Sequence, residues 1–434
     1  MIKILLILTI LEGIVLGPLR IGWNLEENIY SIIFVFFNFL IVMGVLAREH
    51  LSAWFYKTIF VIYSIKILLL IFIYFDVDVV MNALSIRDVY GFFQPQAIDY
   101  MHGSMNRVIQ IYSKIVAYIY IVFGPIMRIP VFYNVMASLL ADVFFYKILL
   151  ELKINSKHIK IFSILFMLLP WRNVQSMFMV RESFPTFLVV LSIYYFVKWW
   201  ESGNGANFVY SIINAILSMI FHSGLIAIAV VMMIVYILYN PRKRQWIINF
   251  KTACKFGAIM LSVGVILALF GDMILNKFTL AFSGDEALSN WNDLVVNGAD
   301  SVYLSNLPYT NFDDVILQSP LRLLYFLFSP MPWNLRGISD VLAFGFDSLL
   351  LLLGVTFSLV NMKRMTKTYK KLIKVLLCMY FLTALIFGAG TFDSGTAMRH
   401  RAKFTSILLI VDAMTITGVM QNKISSKVTI NEIK

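Results

Sequence analysis

Long apolar runs dominate this 434-residue chain and restrict what it can fold into. A membrane-spanning helix needs about 20 apolar residues, because the bilayer core is about 30 Å thick. Such runs lie at 29–46, 55–75, 130–150, 184–200, 255–275, 341–360, 372–389 and 404–420, and shorter or ambiguous pieces at 4–16, 108–126, 159–169 and 208–239. The runs predict one integral membrane domain over 1–434, an all-α bundle of about 11–13 spans.

The composition supports helices in a membrane over other classes. Only 14% of the residues are charged, whereas soluble domains carry about 25%. Backbone amides inside a bilayer must be satisfied by a helix or a closed barrel. Barrel strands alternate apolar and polar residues, and these runs are continuously apolar, which favours helices.

Clusters of basic residues orient the chain. The net charge is +12, and the segments 241–255 and 361–374 contain several lysines and arginines but no acid. Basic loops of this kind stay in the cytoplasm, so the charge does not indicate a nucleic-acid partner. The loop 276–340 and the cationic loop 391–403 are then predicted to lie outside, as is the loop 76–107.

Two topologies remain open for the middle of the chain. In the first, a cytoplasmic lysine cluster at 147–160 places Arg181 outside. This topology breaks the run 208–239 near His222 and makes 108–126 a helix that does not cross. In the second, 208–239 is one tilted span and Arg181 lies inside.

The loop 276–340 is longer than a simple connection requires and contains Trp291, Trp333 and Arg336. Long loops between helices are typically functional or disordered. The loop also contains several carboxylates, and aromatic rings beside carboxylates suit sugars, which stack through their apolar faces and form hydrogen bonds through their hydroxyls. The alternative is that both tryptophans are interfacial belt residues.

Four potentially cationic residues stand just before the last span: Arg399, His400, Arg401 and Lys403. They lie on the predicted outer side, against the usual bias. Arginine suits bidentate recognition of phosphate, so a lipid diphosphate would match this segment. The alternative is an anchor to anionic lipid headgroups.

Charged or polar residues near apolar runs mark two further candidates. Arg181 and Glu182 open a span, and His222 interrupts the run 208–239. Such residues are costly unless they are paired or line a cavity. A purely structural ion pair or interhelical hydrogen bond is the alternative for each. The sequence has no metal-ligand spacing and no nucleotide-binding motif, so no metal or cofactor is predicted.

Taken in order, these motifs resemble a known family. Arg181-Glu182 is followed by Phe-His-Ser-Gly at 221–224, Phe-Ser-Pro-x-Pro-Trp at 328–333 and Gly-Thr-Ala-x-Arg-His-Arg-x-Lys-Phe at 395–404. The order is similar to that of Wzy-type O-antigen and capsule repeat-unit polymerases and the related EpsG-like exopolysaccharide proteins. The EpsG-like relatives tend to carry Arg-Gln where this chain has Arg181-Glu182.

The resemblance implies a GT-C-like fold in the bacterial cytoplasmic membrane. It implies a glycosyltransferase, independent of metal and nucleotide, that joins undecaprenyl-diphosphate-linked oligosaccharides at the outer face. The flippase and chain-length regulator of the same pathway are candidate partners, alongside the lipid bilayer.

Charge suggests roles for the candidate residues in that reaction. Arg399 and Arg401, with Arg181 and Arg336, would stabilise the departing diphosphate. The general base is left open among Asp88, Glu182, His222 and His400, and the substrate-binding candidates are Trp291, Trp333, Arg336 and Lys403.

Two other functions compete with polymerisation. A lipid-linked oligosaccharide flippase would have similar length and charge, but its cations should line a central cavity rather than outer loops. Another GT-C glycosyltransferase, or a ligase that transfers finished polymer, would use the same chemistry.

Overall fold

The computed structural model describes residues 26–75, 88–104, 110–250, 252–254, 256, 257, 261, 301–365 and 367–433. The predicted span 255–275 lies almost wholly outside these residues, and Trp291 and the piece 4–16 lie entirely outside them. Within the described part, the only strand pair is a hairpin with two residues in each strand. Tyr239–Asn240 (β1) pairs with Gln245–Trp246 (β2).

The helices are numbered along the described part of the chain. They are α1 Glu27–Ala47, α2 Ala53–Ile73, α3 Gln94–Met101, α4 Ile111–Phe123, α5 Arg128–Glu151, α6 Ser156–Met167, α7 Pro170–Ser176, α8 Ser183–Ser202, α9 Gly205–Phe221, α10 Ile226–Leu238, α11 Phe312–Phe328, α12 Ile338–Ala343, α13 Leu349–Asn361, α14 Lys367–Ala389, α15 Ser394–Ala402 and α16 Thr405–Ile433.

Membrane-spanning helices are confirmed by length and composition. Five candidate spans are Glu27–Ala47, Ala53–Ile73, Arg128–Glu151, Asp340–Arg364 and Tyr369–Ala389. The bent pair Ser394–Ala402 and Thr405–Met420, at 61° to each other, is a sixth if counted as one span. The described residues therefore supply five or six of the about 11–13 predicted spans.

The shorter apolar pieces form separate short helices, and the choice between the two topologies stays a prediction. Helix α4 has 13 residues, about 20 Å at 1.5 Å per residue, which is shorter than the bilayer core of about 30 Å. The run 208–239 is broken between α9 and α10 at His222, whose backbone is extended with φ −153°. Ser223–Leu225 then forms a single 3-10 turn.

Each of the three segments predicted as outer loops contains helix. Helix α3 lies in 76–107, α11 lies in 276–340, and α15 occupies most of 391–403. Local caps explain two of them. Asn311 and Asp314 form a capping box at the start of α11, and the Asp393 side chain accepts a hydrogen bond from the Thr396 amide at the start of α15. Hydropathy identifies the apolar runs but does not detect short, polar, well-capped helices.

The chain divides into two compact units. The first contains residues 1–140 and 173–184. In this unit the Asn134 amide donates to the Phe178 carbonyl (2.6 Å), the Val180 carbonyl (2.9 Å) and the Tyr112 hydroxyl (3.0 Å). These bonds hold the backbone that leads to Arg181.

The second unit contains residues 141–172 and 185–434 and is built around α14. This helix packs against α10, α11 and α16. The approach of α11 is close at Gly388, where a Cβ atom would lie 3.3 Å from the Cβ of Phe326. Larger residues at this position would push the two helices apart.

The two ends of α14 have different surroundings. At one end, the Tyr369 hydroxyl donates to the Leu152 carbonyl (3.1 Å) and the Lys371 ammonium donates to the Arg244 carbonyl (2.6 Å). We call this the basic end. At the other end, which we call the histidine end, Phe387 contacts His222 and His400.

Tyr369 and Phe387 are about 27 Å apart along the helix axis, close to the thickness of a bilayer core. The segments around 152, 244 and 371, which are rich in lysine and arginine, lie together at the basic end. His222 lies at the opposite end.

Candidate functional site

The cationic segment is the last part of α15 and the residue after it. Helix α15 carries Arg399, His400 and Arg401 in its last turn, where positive charge interacts favourably with the carbonyl end of the helix dipole. Arg399 and His400 are half-buried, whereas Arg401 and Lys403 are fully buried. Neighbouring cations of this segment therefore face different environments.

Arg401 is held by a complete set of hydrogen bonds. Its Nε and Nη2 donate to the Asp347 carboxylate at 3.0 and 2.8 Å, and Nη2 also donates to the Ser348 hydroxyl. Its Nη1 donates to the carbonyls of Phe326 and Leu327, both at 3.1 Å. These bonds match the five N–H donors of a guanidinium.

This geometry corrects the prediction that Arg401 acts on a diphosphate. Its donors are occupied and its charge is paired within the protein, so it ties α15 to the end of α11 and to the π-helical turn Phe344–Ser348. Asp347 was missed because it lies inside an apolar run. An acid in such a run is itself a signal of a buried partner.

His400 lies in a cluster with His222, Lys403 and the ring of Phe387, which we call the histidine cluster. The rings of His222 and His400 are 4.5 Å apart between centroids, and each lies within 5 Å of the Phe387 ring centroid, at 4.7 and 4.9 Å. The Lys403 Nζ is 3.0 Å from the Nδ1 of His400. Residues far apart in the sequence thus form one site.

The contact with Lys403 sets the tautomer of His400. A lysine ammonium only donates hydrogen bonds, so Nδ1 of His400 accepts and its proton lies on Nε2. The same ammonium lies 5.7 Å from the centroid of the Phe387 ring, within cation–π range. His400 can therefore donate from Nε2 beside a fixed positive charge.

Gly224 allows the Phe387 ring to approach the extended break at His222. A Cβ at this position would lie 2.9 Å from Cζ of Phe387, which is closer than carbon atoms pack. The Phe-His-Ser-Gly motif therefore combines a chain break, a functional imidazole and a residue small enough for close packing.

Arg322 is a further fully buried cation near the histidine end, and it was not among the predicted site residues. Its Nη2 donates to the Leu307 carbonyl (2.6 Å) and its Nε to Gln318 (3.1 Å). The guanidinium lies between the rings of Tyr309 and Phe392, at 4.1 and 4.5 Å from their centroids. Burial raises the pKa of Tyr309 to about 12, so this phenol stays neutral.

Trp333 and Arg336 line an open cavity of about 250 Å³ together with Ser301, Tyr303, Ser329 and Ser394. Burial raises the pKa of Tyr303 above its usual value, and its hydroxyl donates to the Thr391 carbonyl (3.0 Å). Arg336 pairs with Asp340 at 3.1 Å. The cavity thus contains two of the residues predicted to bind substrate.

Arg181, Glu182 and Asp88 lie in the first unit. The Nη1 of Arg181 donates to the Oε1 of Gln110 (2.6 Å), and its Nε lies 3.9 Å from the Oε1 of Glu182. Glu182 is fully buried, and Asp88 is half-buried directly before the π-helical turn Val89–Phe93. Arg181 and Glu182 thus form the predicted charged pair.

Among the described residues, no group of three or more His, Cys, Asp or Glu side chains is placed to hold a metal ion. The polar groups that the second unit brings together include cations, imidazoles, hydroxyls and the Asp347 carboxylate.

The fold defines a multi-pass helical membrane protein with buried cations at one end of its second unit. No family model, curated protein or solved structure matches the chain.

Proposed function

We propose that this protein is a GT-C-like glycosyltransferase of the bacterial cytoplasmic membrane. It joins undecaprenyl-diphosphate-linked oligosaccharide repeat units into O-antigen, capsule or exopolysaccharide. The observation that carries the proposal is the histidine cluster beside the cationic segment, about 27 Å along α14 from the basic end. If the basic end is cytoplasmic, the cluster lies at the outer face, where flipped lipid-linked repeats arrive.

The reaction requires no nucleotide, because the diphosphate already activates the sugar. A hydroxyl of the incoming repeat attacks the anomeric carbon of the growing chain. A glycosidic C–O bond forms, the anomeric C–O bond to the diphosphate breaks, and its electron pair leaves with the diphosphate. Fixed cations near the departing oxygen stabilise this charge.

Arg399, His400 and Lys403 are the groups proposed to hold the diphosphate. Arg399 is half-buried and Lys403 adds a fixed charge next to His400. With Nδ1 accepting from Lys403, the proposed donor of His400 toward a diphosphate oxygen is its Nε2–H. Arg401 acts as a positioning residue, because it orients the helix that carries the other three.

His222 is the proposed general base. Of the four earlier candidates, His222 and His400 contact each other, and His400 is assigned to donation. His222 would therefore take the proton of the attacking hydroxyl. An imidazole suits this step because its ordinary pKa lies near neutrality.

The deciding experiment is a gel of surface polysaccharide from a strain that lacks this chain. Loss of a polymerase leaves single repeat units on the lipid anchor, displayed outside. Loss of a flippase leaves lipid-linked repeats on the cytoplasmic side. Loss of a decorating transferase leaves a full ladder of altered mass, and loss of a ligase leaves finished polymer on the lipid.

Replacement of Arg399 tests the proposed chemistry. Arg399→Ala should reduce chain extension by about 10²–10³-fold, the loss typical of one oxyanion-stabilising donor. Arg364→Ala is the matched control, because it removes an exposed arginine from the loop 361–374. Normal polymer lengths in Arg399→Ala, with the protein inserted at wild-type levels, would remove Arg399 from the mechanism.

Labelling with a membrane-impermeant maleimide tests the orientation. Cys254 and Cys378 are both exposed and are first replaced by serine. Asn334→Cys should then react in intact cells, whereas Lys363→Cys should react only after permeabilisation. The reverse pattern would place the histidine cluster in the cytoplasm and contradict the proposal.

A further inference from the structure

The cavity beside Trp333 has the polar lining of a binding site. Its volume is about 250 Å³, just below the range of about 300–1,000 Å³ typical of pockets for drug-sized ligands. Trp333 is 69% exposed, so its ring presents an accessible flat surface. A ring-shaped polar molecule of modest size is the type of ligand that fits such a space.

One hydroxyl of a cavity-lining residue, that of Ser329, lacks a protein partner among the described residues. The Ser329 hydroxyl is buried, with the residue 1% exposed, and it has no hydrogen-bond partner in the described part of the chain. A buried hydroxyl without a partner is unfavourable, because it has lost its hydrogen bonds to water. The Ser394 hydroxyl and the Asn334 amide line the same cavity and provide further donors and acceptors.

The charge of the cavity disfavours an anionic ligand. The guanidinium of Arg336 is the cationic group in the described lining, and its Nε lies 3.1 Å from the Asp340 carboxylate. The pair leaves little net positive charge to bind a phosphate. The Arg336–Asp340 pair can instead form hydrogen bonds with neighbouring hydroxyls of an uncharged ring, and the exposed Trp333 can stack on that ring.

The position of the cavity separates it from the reacting bond. Ser394 is the first residue of α15 and His400 is in its last turn, so the two are about 9 Å apart along the helix axis. The part of the substrate bound at Ser394 would therefore differ from the part bound at His400.

We infer that this cavity binds one uncharged sugar ring of the oligosaccharide, away from the sugar that reacts. The inference rests on the proposed function for the identity of the substrate. The site would contribute affinity and orientation, because remote binding of a substrate positions its reacting end.

Direct binding tests this without requiring turnover. The probe is the repeat-unit oligosaccharide released from its lipid by mild acid, titrated by ligand-observed NMR against the full chain in nanodiscs. Trp333→Ala should weaken binding by about tenfold or more, as truncation of an aromatic hot spot does. Asn334→Ala is a second variant at an exposed position of the lining. Affinity should change little with salt, since screening acts on charged pairs.

Trp246→Ala is the matched control, because Trp246 is 43% exposed in the hairpin that leads into the basic segment. Equal binding by wild type and both cavity variants would assign Trp333 to the interfacial belt and overturn the inference. Absence of binding to wild type, or a steep loss of affinity with salt, would overturn it as well. Trp333-dependent binding in a protein that extends no chains would instead retain the sugar site and reject the polymerase.

Discussion

The two ends of α14 carry similar cations in opposite environments. At the basic end, the Arg244 side chain is 56% exposed and pairs with Glu201 at 3.1 Å. At the histidine end, the Arg401 side chain is fully buried and pairs with Asp347 at 2.8 Å. Exposed pairs contribute little to stability, whereas a buried charge is strongly destabilising once its partner is removed.

The difference shows that cations serve two purposes in this protein. Cations of the basic end are solvated. It is their total number that orients the chain in the membrane, so each one is replaceable. At the histidine end, Arg322, Arg401 and Lys403 are desolvated and have named partners. They are retained at an energetic cost, which is expected when they hold a structure or a site in place.

The largest expected effect separates two buried histidines. His222 belongs to the histidine cluster, whereas His158 bonds Thr417 at 3.2 Å in α6, which follows Leu152 of the basic end. His222→Gln should reduce chain extension by about 10²–10⁴-fold, the usual contribution of a general base. His158→Gln should retain most activity, because glutamine can still bond Thr417. Equal activities, measured with purified lipid-linked repeats, would exclude His222 as the base.

The next largest effect is on the free energy of unfolding, where replacements of Arg401 and Arg244 should differ strongly. Arg401→Ala leaves the Asp347 carboxylate without its partner and should destabilise the protein by about 3–5 kcal/mol. Arg244→Ala should cost at most about 1 kcal/mol. Thermal unfolding in detergent measures both.

A double variant distinguishes the loss of the ion pair with Asp347 from the loss of the hydrogen bonds to the α11 carbonyls. Arg401→Met combined with Asp347→Leu should recover much of the lost stability, because replacing a whole buried pair by apolar residues is often tolerated. A double variant as unstable as Arg401→Ala would show that the hydrogen bonds to the α11 carbonyls matter more than the ion pair.

Close packing at the histidine end gives an intermediate effect. Gly224→Ala forces a methyl group against Phe387 and should destabilise the protein by about 1–3 kcal/mol, as overpacking does. It should also lower activity, since the same ring contacts His222 and His400. Gly205→Ala is the control, because no atom lies within 4 Å of a Cβ there. Wild-type activity of Gly224→Ala would separate the ring from the site.

The smallest effect concerns the start of α11. Asn311→Ala removes the cap and should cost about 1 kcal/mol. Hydrogen bonds from the Thr310 hydroxyl and amide, and from the Asn311 amide, hold the pKa of Asp314 below its usual value. The stabilisation is therefore present above the ordinary pKa of 3.8 and is lost as pH falls through the lower folded-state value. Thr310→Val should accordingly lower the unfolding temperature at pH 7 and have a smaller effect near pH 3. An equal effect at both would contradict this assignment.

The sequence alone determined where the chain is apolar and where it breaks. Spans such as 29–46 and 372–389 correspond to α1 and α14 within a few residues, because hydropathy is a local property read along the chain. The break at His222 was predictable for the same reason, since a polar residue and a glycine interrupt an apolar run. The helices α11 and α15 were harder to predict, because their starts depend on a few local side-chain hydrogen bonds that hydropathy does not detect.

Only the tertiary structure decided what the charged residues do. Arg399 and Arg401 are two positions apart, yet one is half-buried and the other is fully bonded inside the protein. Their difference depends on which face of α15 meets Asp347 and the end of α11, and these partners are distant in sequence. The meeting of His222 with His400 has the same origin. Hydropathy is set residue by residue, whereas the environment of a charge is set by what packs against it.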